Sequence, residues 1–325
     1  MRDLPSSLAR YLFLAYALLV IYASLHPFSG WTHTGAPAFA FITASLPRYV
    51  TGFDVAANVL GYVPLGFLGV LALYPQLRGA AAAATAVLVA SLISLSLEAL
   101  QTYLPSRIPS NLDFATNAAG ALLGAVASAA ATRLLLRDDG LQAARYRLFA
   151  SGGRADLGLV LLGLWLFTQL SPETLLFGNG DLRELFQAAV GEHHGAEVFI
   201  RAEAVVAAAN TLAICLLLSI LVRYGQSVRV LMLALLAGAL AVRSLAYGLL
   251  FGPEDFLLWL TPGAAFGVAG GAAIATLAVG LAQSWRTALA GVTLMMGTIA
   301  VNLAPENPYL AVFLAEWQQG HFLNF

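Results

Sequence analysis

The chain has 325 residues, 60% of them apolar and only 10% charged, with a formal net charge of −1 and a mean hydropathy of +0.80. Globular domains carry about 25% charged residues, so this composition excludes an ordinary soluble domain, and its weak charge excludes a nucleic-acid partner. What is left is an all-α, polytopic integral membrane protein whose obligatory partners are membrane lipids.

Apolar runs long enough to cross a bilayer as helix fall near 10–27, 53–74, 79–104, 113–136, 156–176, 198–222, 228–251, 256–282 and 286–303, which predicts about nine transmembrane helices. All 16 basic residues are arginine, the codon bias of a GC-rich bacterial genome. Arg2, Arg10, Arg78, Arg133, Arg137, Arg145, Arg147, Arg154, Arg223, Arg229 and Arg286 fall on one side if the N-terminus is cytoplasmic. The positive-inside rule then puts the C-terminus outside the cytoplasm, in the inner membrane of a bacterium. The first run lacks a small-x-small cleavage site and precedes many more spans, so it reads as a helix rather than a signal peptide. Cys215 is the single cysteine, which excludes an internal disulfide, and the scattered histidines give no ligand set. No metal and no cofactor are expected.

The first helix ends near His26-Pro27 and leads into an outer segment with Trp31, an interfacial aromatic. The second starts at Asp54 and carries Pro64 in mid-span beside Gly61, Gly66 and Gly69. A bend there is expected on the side facing protein, where neighbours can satisfy the freed carbonyls. The third is rich in small residues that suit close packing, and Glu98 interrupts it. An ionisable group at that depth costs at least ~2.5–3.5 kcal/mol on insertion scales, which makes it a candidate functional residue. Gln101 shares its helical face. A proline loop with Arg107 follows, and then Asp113, Asn117, Gly120 and Gly124 form one stripe on the fourth helix.

The second and fourth helices open with the same pattern, Asp54-x-Ala56-x-Asn58-x-x-Gly61 and Asp113-x-Ala115-x-Asn117-x-x-Gly120. Each Asp sits at the mouth with its Asn about one turn deeper, ~6 Å. Taken singly, each Asp also fits a helix N-cap. Taken as a matched pair beside Glu98, they predict one shared polar pocket, with Glu98 below and Arg107 above as the cation that offsets three carboxylates.

The set in 53–124 (DxxxN before a Pro-Leu-Gly turn, ExxQ, an Arg in a proline loop, a second DxxxN, then Gly120 and Gly124) resembles the VanZ-like family over roughly residues 8–135. Asp54, Asn58, Pro64, Gly66, Glu98, Gln101, Arg107, Asp113, Asn117 and Gly120 stand at its motif positions. The resemblance implies a protein of the bacterial cytoplasmic membrane, linked through the family's founder to teicoplanin resistance, with no established molecular activity. VanZ-like domains are shorter, and residues 156–325 lie outside the signature.

Three regions follow: a four-helix VanZ-like domain over 1–135, an arginine-rich cytoplasmic linker over 136–155, and a five-helix region over 156–325. The linker's basic stripe suits anionic lipid heads, or topology alone. In the last region Leu170-Ser171-Pro172 echoes Leu25-His26-Pro27, Asn210 echoes Asn58, and Gly263 and Gly267 echo Gly120 and Gly124, a degenerate parallel 4+4 helix repeat. Residues 181–190 fit a solvated outer face, ahead of a short amphipathic helix on the membrane surface, and the aromatic tail after 303 is expected to lie in the outer interface.

Three functions suit these residues. In the first, Asp54, Asn58, Glu98, Gln101, Arg107, Asp113 and Asn117 line an outward cleft that binds or moves a lipid-linked envelope precursor or a glycopeptide, serving antibiotic resistance or cell-envelope homeostasis. Arg107 would clamp a phosphate or carboxylate, while Pro64, Gly66, Gly120 and Gly124 pack the helices. In the second, Glu98 and Asp113 are an acid/base pair acting on a lipid-linked substrate; with no nucleophile or metal signature, this ranks below binding. In the third, the cluster is a buried ion-pair network that holds the helices and has no ligand.

Overall fold

The computed structural model describes residues 7–33, 35–47, 49–135, 140–172, 174–180 and 195–304. Its elements are helices: α1 (Ser7–Leu25), α2 (Gly52–Leu73), α3 (Gly79–Gln101), α4 (Asn111–Leu135), α5 (Leu141–Leu148), α6 (Gly153–Thr168), α7 (Ala196–Leu221), α8 (Val228–Leu250), α9 (Pro262–Ala278) and α10 (Gln283–Leu303). Among the described residues the extended pairing is a single antiparallel bridge between Phe149 and Val222. The outer segment 181–190 and the interfacial tail lie outside the described residues.

Seven of these helices are long and apolar enough to cross a membrane, so the all-α polytopic expectation holds and the count of nine was approximate. Besides the eight-residue α5, the short ones are α6 and α9, of 16 and 17 residues. At 1.5 Å per residue they reach only ~24–26 Å, short of the ~30 Å hydrocarbon core. Both breaks lie at prolines. Pro172 biases Ser171 away from the helical region, and Pro262 stands in the first turn of α9 behind Thr261, whose hydroxyl accepts the Ala264 N–H at 3.1 Å.

The chain divides into two compact units, one over Met1–Arg147 with Ser151–Val160, the other over Leu148–Ala150 with Leu161–Phe325. In the first, α2 and α4 run parallel and lie so close that small residues are obligatory between them. A Cβ on Gly120 would sit 2.1 Å from the Val59 carbonyl oxygen, one on Gly124 1.9 Å from that of Val63, and one on Gly66 2.0 Å from that of Ala121. Without a side chain, the backbones approach closely enough for dispersion to hold helices that lipid would otherwise solvate equally well. α3 adds a line of alanines, Ala82, Ala86 and Ala90, packed with Leu65, Val70, Ala121 and Ala125. α2 runs unbroken through Pro64. The hydroxyl of Tyr16 on α1 donates to the Gly61 carbonyl at 2.8 Å, so a neighbouring helix serves the backbone just before the proline.

In the second unit the same device recurs between α7 and α9: a Cβ on Gly263, Gly267 or Gly271 would stand 2.5–2.6 Å from the carbonyl oxygens of Ile200, Ala204 and Ala208. Gly297 of α10 leaves room for the amide of Asn210. The segment after α6 is buried, with Gln169, Ser171 and Phe177 at 3% exposure or less. Arg243 of α8, itself 1% exposed, holds that segment by donating to the carbonyls of Ser171, Pro172 and Thr174. Its guanidinium also lies 5.1 Å over the Tyr247 ring, and Glu203 is in electrostatic reach with its carboxylate on the Thr261 hydroxyl. A fully buried arginine is tolerable here because backbone carbonyls that no helix satisfies supply its acceptors.

Candidate functional site

At one end of the first unit, α1 and α3 finish and α2 and α4 begin. Both starts are built by capping residues that the sequence reading passes over, although Thr51-x-x-Asp54 and Ser110-x-x-Asp113 have capping-box spacing. The N-caps are therefore Thr51 and Ser110, and the two aspartates are the third residues of their helices rather than caps.

The two copies are wired differently. In α2 the box closes on itself: Asp54 N–H donates to Thr51 Oγ1 and Thr51 N–H to Asp54 Oδ2, both at 3.1 Å. In α4 the Ser110 hydroxyl accepts the N–H groups of Leu112 and Asp113 at 3.1 and 3.3 Å. The Ser110 N–H, however, donates to Glu98 Oε2 of α3 at 2.8 Å. Glu98, 4% exposed, thus occupies the place that the helix's own acid fills in α2. The Asp113 carboxylate is left to face α2, where Asn58 hydrogen-bonds to it and Asp54 lies in electrostatic reach. Glu98 feels Asp113 as well, so Asp113 is in electrostatic reach of both other carboxylates.

Below them, Asn117 donates to the hydroxyl of Ser94 at 3.0 Å, and Ser94 is also the partner of the Tyr62 hydroxyl. Ser94 is fully buried and Asn117 is 6% exposed, yet the Asn117 Oδ1 has no hydrogen-bond partner. Gln101 points elsewhere, its amide donating to the Ser24 carbonyl at the end of α1 at 2.9 Å.

Arg107 departs from expectation. Its guanidinium donates to the carbonyls of Ala23 and His26 at 3.1 Å, closing the C-terminal end of α1, where unsatisfied carbonyls and the helix dipole favour a cation. Among the described residues, no ion pair joins Arg107 to Asp54, Glu98 or Asp113. The carboxylates are answered by backbone and amide donors instead.

The segment before α2 covers this end. Thr32 N–H donates to the Tyr103 carbonyl at 2.9 Å, Thr102 Oγ1 to that of Ala38 at 3.2 Å, and Asn111 Nδ2 to that of Ala44 at 2.7 Å. At the other end, Asp156 accepts from both Arg145 and Ser7. Arg145 is therefore spent on a largely buried pair, not free for lipid heads. Among the described residues, no group of three or more His, Cys, Asp and Glu side chains is arranged to hold a metal ion.

Residues 9–132 match the family model described as VanZ/LLP1. No curated protein and no solved structure matches the chain.

Proposed function

Starting from a VanZ-like membrane domain over residues 9–132, we propose that its polar end is a binding site for the hydrogen-bond-donating part of an envelope molecule. That molecule is a lipid-linked precursor or a glycopeptide, met at the outer face of the bacterial inner membrane, with the N-terminus cytoplasmic and the C-terminus outside. The carrying observation is that Asp113, relieved of capping by Glu98, faces Asp54 and Asn58. Acceptors in excess of donors suit hydroxyl and amine groups, as on a sugar or an aminated peptide. They do not suit a phosphate or carboxylate, since Arg107 is engaged by α1. Held there, such a ligand would be shielded or moved, which is how the domain would serve envelope homeostasis or antibiotic resistance.

The test uses the full chain in nanodiscs with a lipid-linked disaccharide-pentapeptide and, separately, teicoplanin as probes. A charge-assisted hydrogen bond is worth about 1.5–3 kcal/mol. Asp54→Asn with Asp113→Asn should therefore weaken binding of one probe by about 10-fold or more. Equal affinity of variant and parent for both probes would sink the proposal. A second reading, a structural cluster without a ligand, is favoured for Glu98 by its capping role, and it predicts loss of abundance rather than of binding.

A further inference from the structure

The acids of the polar end share a place without sharing a counter-charge. Asp54, Glu98 and Asp113 come from three helices, and Asp113 is in electrostatic reach of the other two. Among the described residues no arginine pairs with any of them, and Arg107 is held by the carbonyls of Ala23 and His26. Backbone donors fix two of the acids: Asp54 Oδ2 accepts the Thr51 N–H and Glu98 Oε2 accepts the Ser110 N–H. Neither is free to swing away from Asp113, so the repulsion is best relieved by a cation brought from outside.

One turn along α4 from Asp113 lies a further unmet acceptor. Asn117 is 6% exposed and its amide nitrogen donates to Ser94, but its Oδ1 has no hydrogen-bond partner. A buried oxygen of this kind calls for a donor. One turn is ~6 Å, the span of two hydrogen bonds of about 2.9 Å, so a single water beneath a cation on Asp113 reaches it. Beyond Asn117 and Ser94 the next turns present Leu65, Ala90 and Ala121, all fully buried, and the polar track ends there.

This arrangement selects the kind of cation. A metal ion draws its oxygens to about 2.0–2.6 Å, and among the described residues no three acids converge in that way. A guanidinium offers its donors in one plane, whereas the acceptors here stand on two sides, Asp54 on α2 and Asp113 on α4, with a third below. An ammonium, whose three N–H bonds spread as a tripod, matches them; a hydroxyl brings one donor and no charge. We propose that the group recognised by the polar end is a primary ammonium, seated between Asp54 and Asp113 with Asn117 beneath it. This rests on the reading of that end as a binding site and adds the charge of its ligand: a lysine-type amine on the peptide of a lipid-linked precursor, or the amine of a glycopeptide.

The test compares three versions of a lipid-linked disaccharide-pentapeptide on the full chain in nanodiscs, with lysine, Nε-acetyl-lysine or 6-hydroxynorleucine as the third residue of the peptide. The hydroxyl version keeps the length and a donor and removes the charge. A second arm uses teicoplanin and teicoplanin acetylated on its amine, so that the two sources of the ammonium are read separately. In at least one arm the amine form should bind at least about 10-fold tighter than its neutral counterparts. That advantage should shrink as salt is raised from about 0.05 M to about 0.5 M. In Asp54→Asn with Asp113→Asn, checked for a parent-like melt, it should fall below about 3-fold. Where that variant does not fold, Asp113→Asn alone, whose carboxylate serves no cap, should lower it by at least about 3-fold.

Equal binding of the amine and neutral forms, weakened alike by the aspartate changes, would overturn the ammonium and leave the binding site standing. An amine advantage that survives those changes would place the cation elsewhere and overturn the proposal as well. Binding of no probe in either arm removes the binding-site reading and this proposal together.

Discussion

The Ser110 backbone N–H donates to Glu98 Oε2 at 2.8 Å, so an acid on α3 completes the cap of α4. Removing the carboxylate by Glu98→Ala leaves a buried N–H without an acceptor, which costs about 1–3 kcal/mol. Glu98→Gln keeps an oxygen in place and should lose much less. Thermal melts of the two purified variants should separate by several degrees, with Ala the lower; coincident melts would mean that the contact contributes nothing to stability.

Gly61 and Gly120 stand at the same place in the two repeated motifs and have opposite surroundings. A Cβ at Gly61 meets nothing within 4 Å, while one at Gly120 would sit 2.1 Å from the Val59 carbonyl. Gly61→Ala should be neutral or stabilise by up to ~1 kcal/mol through helix propensity. Gly120→Ala must push α2 and α4 apart and should cost about 1–3 kcal/mol. Comparable melting temperatures for the two variants would contradict the close approach of these helices.

Arg107 binds the end of α1 and not the carboxylates. A double-mutant cycle between Arg107→Gln and Asp113→Asn should thus be additive to within about 0.5 kcal/mol, with the single Arg107 change costing about 0.3–1 kcal/mol through the α1 terminus. A coupling above ~1 kcal/mol in ligand binding would show that the guanidinium reaches the carboxylates when the site is occupied.

In the second unit, Arg243→Met should be the most damaging change. It strips the carbonyls of Ser171 and Thr174 of the guanidinium donor inside a buried segment, leaves that of Pro172 to the Tyr247 hydroxyl alone, and leaves Glu203 beside an apolar side chain. The loss should be about 3 kcal/mol or more, read as low membrane abundance and a lowered melt. Arg201→Met, whose pair with Glu197 is exposed at 3.0 Å, should change the melt by less than ~1 kcal/mol.

Much of the protein was legible from residues alone, because hydrophobic length is a one-dimensional property. Runs such as Gly79–Gln101 announce membrane helices wherever they pack, and the DxxxN, ExxQ and DxxxN set identified the VanZ-like part. The alanine and glycine stripes announced close packing, although which carbonyl each glycine meets depended on the register of α2 against α4. What the sequence could not decide was who answers whom. The two motifs are identical at Asp, Asn and Gly, yet Asp54 closes its own cap while Asp113 does not, since only α4 has Glu98 packed against its start. Arg107 looked like the counter-charge of the cluster because it was the only cation nearby in sequence, but the carbonyls of Ala23 and His26, some eighty positions away, are nearer in space and equally in need of a donor. Helix existence follows from the chain's own composition, whereas the partner of a polar group follows from where other helices end, and that is fixed only when the tertiary structure brings those ends together.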